Sequence, residues 1–421
     1  MYLLIYLKGG KTMFKNKEEF ADTIKEMGGE LFLVGGAVRD SLLLKTPHDE
    51  DFMITGLSVD EVPFEKVVGA DFPVFLVEIA GVSCEIAMAR KERKVATGHK
   101  GFKFSTDKSI TVVEDLKRRD LTINAMAVNL NTGEFLDPFN GEEDLKNGIL
   151  RHTSNAFSED PLRVFRVARF AAKLNFTITN GTKELMRKLA PELETLPVER
   201  IWEELAKTLK TRTPSRFFEV LMEVDCLEVF FAEVAALNVP DKHDGTAFNH
   251  TMTVMNSGFD PLERFGLLCH DFGKGCTPAE DHPSHFGHDK LGIEPVIALC
   301  DRIRVPNKFK KVGLLCATMH MRMKRATDMK PGKFLRLVLD NKDHFDMMLT
   351  LSFLDSVHRD GGSVEENLDW FEKASKQAKI VKQVEHEITG KHLIAEGKKP
   401  GPHFGMQLLD RRIKLFKHRR K

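Results

Sequence analysis

The chain has 421 residues, of which 42% are hydrophobic and 30% charged, with a formal net charge of +1. That length accommodates two or more domains with ample core, and the composition reads as globular and soluble. The near-zero charge excludes a uniformly basic nucleic-acid coat, leaving local basic patches at 91–94, 116–120 and 414–421.

In chain order, MYLLIYLKGGK opens with an apolar run too short for a membrane span and without a signal-peptide layout, and Met13 offers an alternative start. Lys15 to Met27 reads as an amphipathic helix with Phe20, Ile24 and Met27 on one side, ended by Gly28-Gly29. Leu31 to Val34 is an apolar run entering Gly35-Gly36. A short helical segment with Arg39 and Asp40 follows, then a second apolar segment opened by Asp49-Glu50-Asp51. If HDEDFMI is a strand, residues two apart share a face, so Asp49 and Asp51 project together and Glu50 points away. Two carboxylates on one face make a poor core and a good cradle for Mg²⁺, which takes hard oxygen ligands and keeps substrate phosphates in its shell. Gly35 and Gly36 let backbone approach a phosphate closely, and Arg39 can neutralise it. Most Gly-Gly turns are only turns, and most D-x-D strands are solvated edges. Together, about fifteen residues apart, the two halves favour a nucleotide–metal site.

Phe72 to Ala89 reads as two strands, in which Glu85 is either an edge-strand glutamate or a third carboxylate beside the aspartates. Lys91 to Asp120 is rich in charge and has the pattern of a mobile loop over a site. It ends in EDLKRRDLTINAMAV, where Arg118-Arg119 is either a solvated helix face or a phosphate clamp, since guanidinium forks match phosphate oxygens. Asp137 to Gly141 is a turn by composition, and DLKNGILRH after it returns to strand.

From Ser158 the texture is helical: SEDPLRVFRVARFAAKL, with Ser158 as N-cap and Pro161 in the first turn. Arg163, Arg166 and Arg169 recur every three residues, giving a basic face with Asp160 at its head. By itself that face is a solvated arginine stripe. Helices continue to about Asp225, and Pro240 to Thr246 is a polar break and candidate linker. The half beyond is histidine-rich: His250, the adjacent His270-Asp271, His285, His288 and His320. Such a set suits a divalent transition-metal site of imidazole and carboxylate, although any single histidine is more often a satisfied core or surface residue. The His-Asp pair closes an apolar helix and needs partners there. Six cysteines (Cys84, Cys226, Cys269, Cys276, Cys300, Cys316) are scattered without a C-x-x-C pair, as suits reduced thiols in a cytosol.

These motifs together resemble a known family. VGGAVRDSLL, the DED carboxylates, AMARKERK, EDLKRRDLTINAMA, DPFNGEEDL, EDPLRVFRVARFAAKL, RFGLLCHDFGKG and HFGH occur in the order found in class II CCA-adding tRNA nucleotidyltransferases, the bacterial type related to poly(A) polymerase, with a C-terminal HD domain. The resemblance covers residues 30 to 345. It implies an α+β fold: a nucleotidyltransferase head with a mixed sheet, then an all-helical neck and body, then HD helices. The divisions it implies are an extension over 1–29, the head over 30–150, neck and body over 151–240, the HD domain over 241–345 and a helical tail over 346–421. Carried over by motif, Asp49 and Asp51 hold Mg²⁺, Gly36, Arg39 and Arg119 meet the nucleotide, and Asp160, Arg163 and Arg166 read the base. His250, His270 and Asp271, with His320, hold a divalent transition metal such as Ni²⁺ in the HD domain. No flanking motif fixes a further aspartate such as Asp355. The sequence departs from the family pattern twice: Leu44-Lys45 stand where a glycine is usual, and Met321 follows His320 where an acid is expected.

The implied activity is addition of C, C and A to the tRNA 3′ end from CTP and ATP, in the cytoplasm, by a monomer or homodimer. The HD half implies hydrolysis of phosphomonoesters or 2′,3′-cyclic phosphates. Cytosine and adenine both present an exocyclic amine donor beside a ring-nitrogen acceptor, whereas uracil and guanine present the reverse. A carboxylate and a guanidinium, Asp160 with Arg163, therefore pair with the first two only. The alternatives are a poly(A) polymerase, which shares the head, and a degraded enzyme that only binds structured RNA.

Overall fold

The structure, a computed structural model, describes residues 6–8, 11–47, 50–69, 72–94, 102–105, 107–242, 244–359 and 362–420. They form two compact units, residues 1–204 with 216–229, and residues 205–215 with 230–421.

The first unit carries the sheet. Its strands are β1 (Tyr6–Lys8), β2 (Lys11–Phe14), β3 (Glu30–Val34), β4 (Asp51–Thr55), β5 (Glu65–Gly69), β6 (Phe72–Ile79), β7 (Val82–Met88), and, after the separate hairpin of β8 (Lys91–Lys94) and β9 (Phe102–Ser105), β10 (Ala127–Asn129) and β11 (Phe135–Leu136). The order across the main sheet is β1-β2-β6-β7-β4-β3-β10-β11, with β5 beside β6. The sheet is mixed, as expected: β2 with β6 and β4 with β7 are parallel, and the other pairs antiparallel. Strand β4 shows why its apolar run is continuous. Phe52 and Ile54 pack on one face with Phe20 of α1 (Lys17–Glu26), while Met53 packs on the other with Phe32 and Leu116. Both faces are covered, so the strand needs apolar residues at successive positions. Asp51 is the exposed polar residue at its open end.

Between β3 and β4 lies α2 (Gly36–Leu42), entered through Gly35 at φ 68°. Its exit uses Leu44 at φ 56°, 96% exposed, in the left-handed conformation that a glycine would adopt without strain.

Three local expectations are corrected. The segment 91–120 is not simply a loop: β8 and β9 pair through Lys91 with Ser105, and α3 (Val112–Lys117) follows, capped by Thr111. The Gly98–Gly101 turn lies outside the described residues. DLKNGILRH begins as helix, in α4 (Gly141–Lys146), before a two-residue strand at Ile149–Leu150. Ser158 is not the N-cap of the arginine helix, because residues 155–159 form a 3-10 turn and α5 runs Arg163–Leu174. Proline 161 disfavours helical backbone at the preceding residue, and Asp160 is extended, its carboxylate accepting from Leu162 N at 3.0 Å. The unit continues through α6 (Asn180–Leu189), the start of α7 (Val198–Thr208), and α8 (Ser215–Glu223).

The second unit is helical. From α9 (Glu228–Ala235) it continues through α10 (Ala247–Asn256), α11 (Pro261–Cys269), α12 (His288–Leu291), α13 (Ile293–Arg302), α14 (Asn307–Lys324), α15 (Pro331–Asp340), α16 (Phe345–Val357), α17 (Val364–Glu387), α18 (Gly390–Ala395) and α19 (Phe404–Arg419). Pro240 and Thr246 bridge across a turn within this unit. Phe334, Phe345 and Phe416 anchor the core between α15, α16, α17 and α19. No helix among the described residues is long and apolar enough to cross a membrane.

Candidate functional site

In the first unit, the residues singled out from the sequence occupy two places. Asp51 lines an open groove of about 880 Å³ with Glu50, Glu85, Lys17 and Ser83. Because Phe52 pairs with Ile86 in parallel, the preceding residues, Asp51 and Glu85, emerge at the same end of adjacent strands. Glu50 is turned to Lys17 at 2.5 Å. Asp49 lies outside the described residues. The donor set at this mouth is made of exposed carboxylate oxygens, which suits a hard cation that retains water and phosphate.

The second place is a network linking the Gly35 turn to α5. Arg39 is buried, donating to Asn124 Oδ1 at 2.5 Å and to Asp40 Oδ1 at 2.8 Å, with its guanidinium 5.2 Å from the Phe170 ring centre. Arg119 donates to Asn124 O at 3.3 Å and pairs with Asp115 at 3.2 Å. It also lies over Gly35, where a Cβ would meet Arg119 Nη1 at 2.6 Å and displace that guanidinium, while φ 68° itself favours glycine. Gly36 starts α2, beside Arg39. Asn124 in turn donates to Asp120, which takes Arg166 at 2.7 Å. Arg163 donates to Arg118 O at 2.6 Å and to Ala156 O. Arg169 pairs with Glu204 at 2.5 Å. The basic face of α5 is therefore a set of paired, largely buried arginines and not a solvated stripe. Asp160 pairs with Arg200 at 3.2 Å.

Burial would push the Asp120 carboxyl up, but Arg166, Asn124 and Arg163 outweigh it and hold its pKa well below the usual carboxylate range. A depressed folded-state pKa contributes stability that is present above the unfolded value of about 3.9 and lost as pH falls through the folded value. Asp120→Asn should cost about 1–3 kcal/mol at neutral pH, toward the low end because Arg166 keeps part of its side chain in solvent. The gap between variant and parent should narrow from about pH 5 toward about pH 2, as read by urea denaturation. A gap independent of pH would show that the pair does not supply this stability.

In the second unit, six side chains converge. His250 comes from α10, His270 from the C-terminus of α11 with Asp271 next to it, His288 from the start of α12, His320 from α14 and Asp355 from α16. All six are buried. Each imidazole spends Nδ1 on an outer acceptor: Asp244 Oδ2 at 2.8 Å for His250, Leu267 O at 2.5 Å for His270, His285 O at 2.8 Å for His288 and Cys316 O at 2.9 Å for His320. That fixes the rings and aims every Nε2 inward, as in metal centres whose outer contacts set the tautomer.

The inward atoms fall into two groups, His250, His270 and Asp355, and Asp271, His288 and His320. In the second group His288 Nε2 and His320 Nε2 are 3.1 Å apart, and Asp271 Oδ1 lies 3.4 and 3.5 Å from them. Ligands about 2.0–2.2 Å from one ion sit at about these mutual spacings. In the first group Asp355 Oδ1 is 2.9 Å from His250 Nε2 and 3.7 Å from His270 Nε2. Asp271 Oδ2, 3.1 Å from His270 Nε2, faces this group, so one carboxylate spans both. His270 Nε2, both Asp271 oxygens and Asp355 Oδ2 are buried without hydrogen-bond partners. So dense a convergence of ring nitrogens and carboxylate oxygens fits cations.

Electrostatics agree. Burial pushes His320 down to about 3, keeping it a neutral ligand. Burial opposes ionisation of Asp271 and Asp355, yet His270 and Lys274 beside the one, and Lys324 and His250 beside the other, hold both well below the carboxylate range. His250 is raised, because its hydrogen bond and charge interaction with Asp355 outweigh the effect of burial.

The sequence pointed to His250, His270, Asp271 and His320, and the structure brings these four together. They are joined by His288, which belonged to the histidine set without a carried-over role, and by Asp355, the aspartate that no flanking motif fixed. His285, singled out with them, instead bonds Thr277 Oγ1 at 2.7 Å and Pro240 O at 2.8 Å. A local signal for His288 was available in Gly273, two residues after Asp271. A Cβ there would meet His288 O at 1.9 Å, so glycine is what lets α12 approach the His-Asp pair.

Comparison with known proteins adds five findings. Residues 31–151 match the "Poly A polymerase head domain" family, and residues 175–237 match the "Probable RNA and SrmB- binding site of polymerase A" family. The chain is 42% identical over 348 residues to the Multifunctional CCA protein of Laribacter hongkongensis, covering 78% of this chain and 85% of the relative. It is 37% identical over 406 residues to that of Nitrosococcus oceani, covering 92% and 98%. The fold is similar to that of the Bacillus stearothermophilus CCA-adding enzyme in complex with CTP, with a TM-score of 0.64 at 22% identity, over 96% of this chain and 93% of that one.

Proposed function

The chain belongs to the multifunctional CCA protein family, and on that premise we propose that its two units hold two separate active centres, one extending tRNA and one hydrolysing phosphate esters. It is a CCA-adding tRNA nucleotidyltransferase that takes ATP and CTP as substrates. The observation carrying this is the alignment with the Nitrosococcus protein along 98% of that relative's length. The nucleotidyltransferase fold works with a divalent metal ion.

In the head, Asp49 and Asp51 hold Mg²⁺, with Glu85 at the same groove mouth as a third carboxylate. When bound, the metal activates the RNA 3′-hydroxyl and stabilises the leaving pyrophosphate. The protein supplies position and charge. Gly36 and the Gly35 turn admit the triphosphate, and Arg39 and Arg119, already fixed by Asn124, Asp40 and Asp115, present guanidinium to it. Asp160 and Arg163 read the amine and ring nitrogen of C or A, while Arg166, locked on Asp120, keeps α5 in register. Arg200 holds the Asp160 carboxylate, and Arg163 exchanges or shares its carbonyl partners to meet a base. Asp160→Ala should therefore relax the rejection of UTP and GTP before it slows CTP and ATP incorporation. Unchanged rejection in misincorporation assays would remove the template role.

The decisive assay supplies a tRNA trimmed of its 3′ end with CTP alone, ATP alone, and both. Two cytidines then one adenosine are expected. Long A tracts on unrelated RNA would instead indicate a poly(A) polymerase.

In the second unit, His250, His270, Asp271 and Asp355 would hold one divalent transition metal, and Asp271, His288 and His320 would hold a second. When bound, such ions supply a hydroxide at neutral pH and polarise the phosphoryl oxygen. The substrates are 2′,3′-cyclic phosphates and terminal phosphomonoesters of RNA, so this centre would clean a damaged end before the head extends it. As a tRNA-extending enzyme it would act in the cytoplasm, with tRNA as its partner.

A further inference from the structure

The charges around the histidine–aspartate centre do not balance once it holds metal. Lys274 pairs with Asp241 as well as with Asp271 Oδ2 at 2.8 Å, and its side chain is only 8% exposed. Two further cations sit on Asp355 itself: Lys324 Nζ lies 2.7 Å from Oδ2, and Arg359 Nε lies 3.4 Å from Oδ1. Lys324 pairs with Asp355 through one contact, and its ammonium carries three donors, so others remain for a further acceptor. A cation against a metal-binding carboxylate competes with the metal, and two of them are a cost unless an anion is bound nearby. With Lys274 offset by Asp241, the charges of Lys324 and Arg359 match those of Asp271 and Asp355 without metal. Asp244 on His250 adds one further negative charge, so two divalent ions still leave the centre net positive.

Exposure rises from the ligands to these two cations. The inward ligands are sealed, with side-chain exposures from 0% for Asp271 to 10% for His288, whereas Lys324 is 16% and Arg359 25% exposed. Lys324 is the last residue of α14, one turn beyond His320, and Arg359 follows α16, one turn beyond Asp355. Both ligand-bearing helices therefore continue from a metal ligand to a cation at the mouth.

We propose that Lys324 and Arg359 form a phosphate clamp at the mouth of this centre, selecting the dianionic terminal phosphate of a phosphomonoester over a monoanionic cyclic phosphodiester. The inference rests on the phosphohydrolase reading above. Hydrolysis adds water across the ester P–O bond, leaving its oxygen on phosphate and its proton on the ribose oxygen. A guanidinium and an ammonium match the two formal charges of the dianion. A cyclic diester, with one charge, gains less from the second cation.

The test uses the full-length, metal-loaded protein and the variants Lys324→Met and Arg359→Met. Bound metal is measured by elemental analysis, inorganic phosphate binding by calorimetry, and kcat/KM on a nucleoside 2′-monophosphate and a 2′,3′-cyclic nucleotide. Each variant should keep the parental metal content, weaken phosphate binding by about tenfold to a hundredfold and lower monoester kcat/KM similarly. The cyclic substrate should fall by less than about fivefold, and Arg359→Lys should recover part of the loss. Unchanged phosphate affinity would overturn the clamp, as would equal losses on both substrates accompanied by loss of metal. If the parent takes up metal but hydrolyses neither ester, the phosphohydrolase reading falls while the phosphate titration still decides the clamp. If the parent takes up no metal, both fall.

Discussion

Asp51→Ala is expected to abolish nucleotide addition, by about a thousandfold or more, while leaving hydrolysis by the second unit at its parental rate. Loss of a metal-holding carboxylate removes several kcal/mol of transition-state charge stabilisation, and about 4 kcal/mol corresponds to a thousandfold in rate. Stability should hardly change. Asp51 is exposed at the open end of β4, whose anchoring comes from Phe52, Met53 and Ile54, and exposed substitutions usually stay within about 0.5 kcal/mol. Asp49→Ala should behave alike. Glu85→Ala separates the two readings of that residue: a third carboxylate loses activity by at least about tenfold, an edge-strand glutamate does not. Single-turnover incorporation of CTP on trimmed tRNA is the measurement, with the parental melting temperature as control. Substantial addition by either aspartate variant would place the metal elsewhere.

The mirror experiment is His270→Ala or Asp271→Ala, which should remove metal and ester hydrolysis and spare CCA addition. Asp271 is the harsher change. It is fully buried, spans both ligand groups and receives Lys274 at 2.8 Å. Removing it leaves Lys274 with Asp241 alone and costs about 3 kcal/mol or more, as for a broken buried ion pair. His270→Ala therefore gives the cleaner comparison. Metal should raise the melting temperature of the parent but not of the variants, because a ligand stabilises only the state that binds it. Loss of both activities in a folded variant would refute the division into two centres.

Much of this site was visible in the sequence because its signals are local. The run Leu31 to Val34, the Gly35-Gly36 turn and the helix bearing Arg39 follow one another within a dozen residues, as an apolar run, a glycine pair and a short helical segment. His270-Asp271 at the end of an apolar helix was equally plain. The character of the α5 arginines was not. Spacing gives the same face whether it meets water or carboxylates, and the partners Asp120 and Glu204 lie 46 and 35 residues away. Histidines posed the same problem: His285 and His288 are three residues apart, yet one closes a turn and the other faces the centre.

By itself, then, the sequence determined the strand, turn and helix around Gly35, the family and the residue types that could carry each chemistry, since these depend on neighbours along the chain. Only the tertiary structure decided which of those residues meet. Asp355 joins His250 across 105 positions because α10, α11, α14 and α16 pack together around one point. Such convergence is set by which apolar faces bury against each other, and spacing along the chain carries little trace of it.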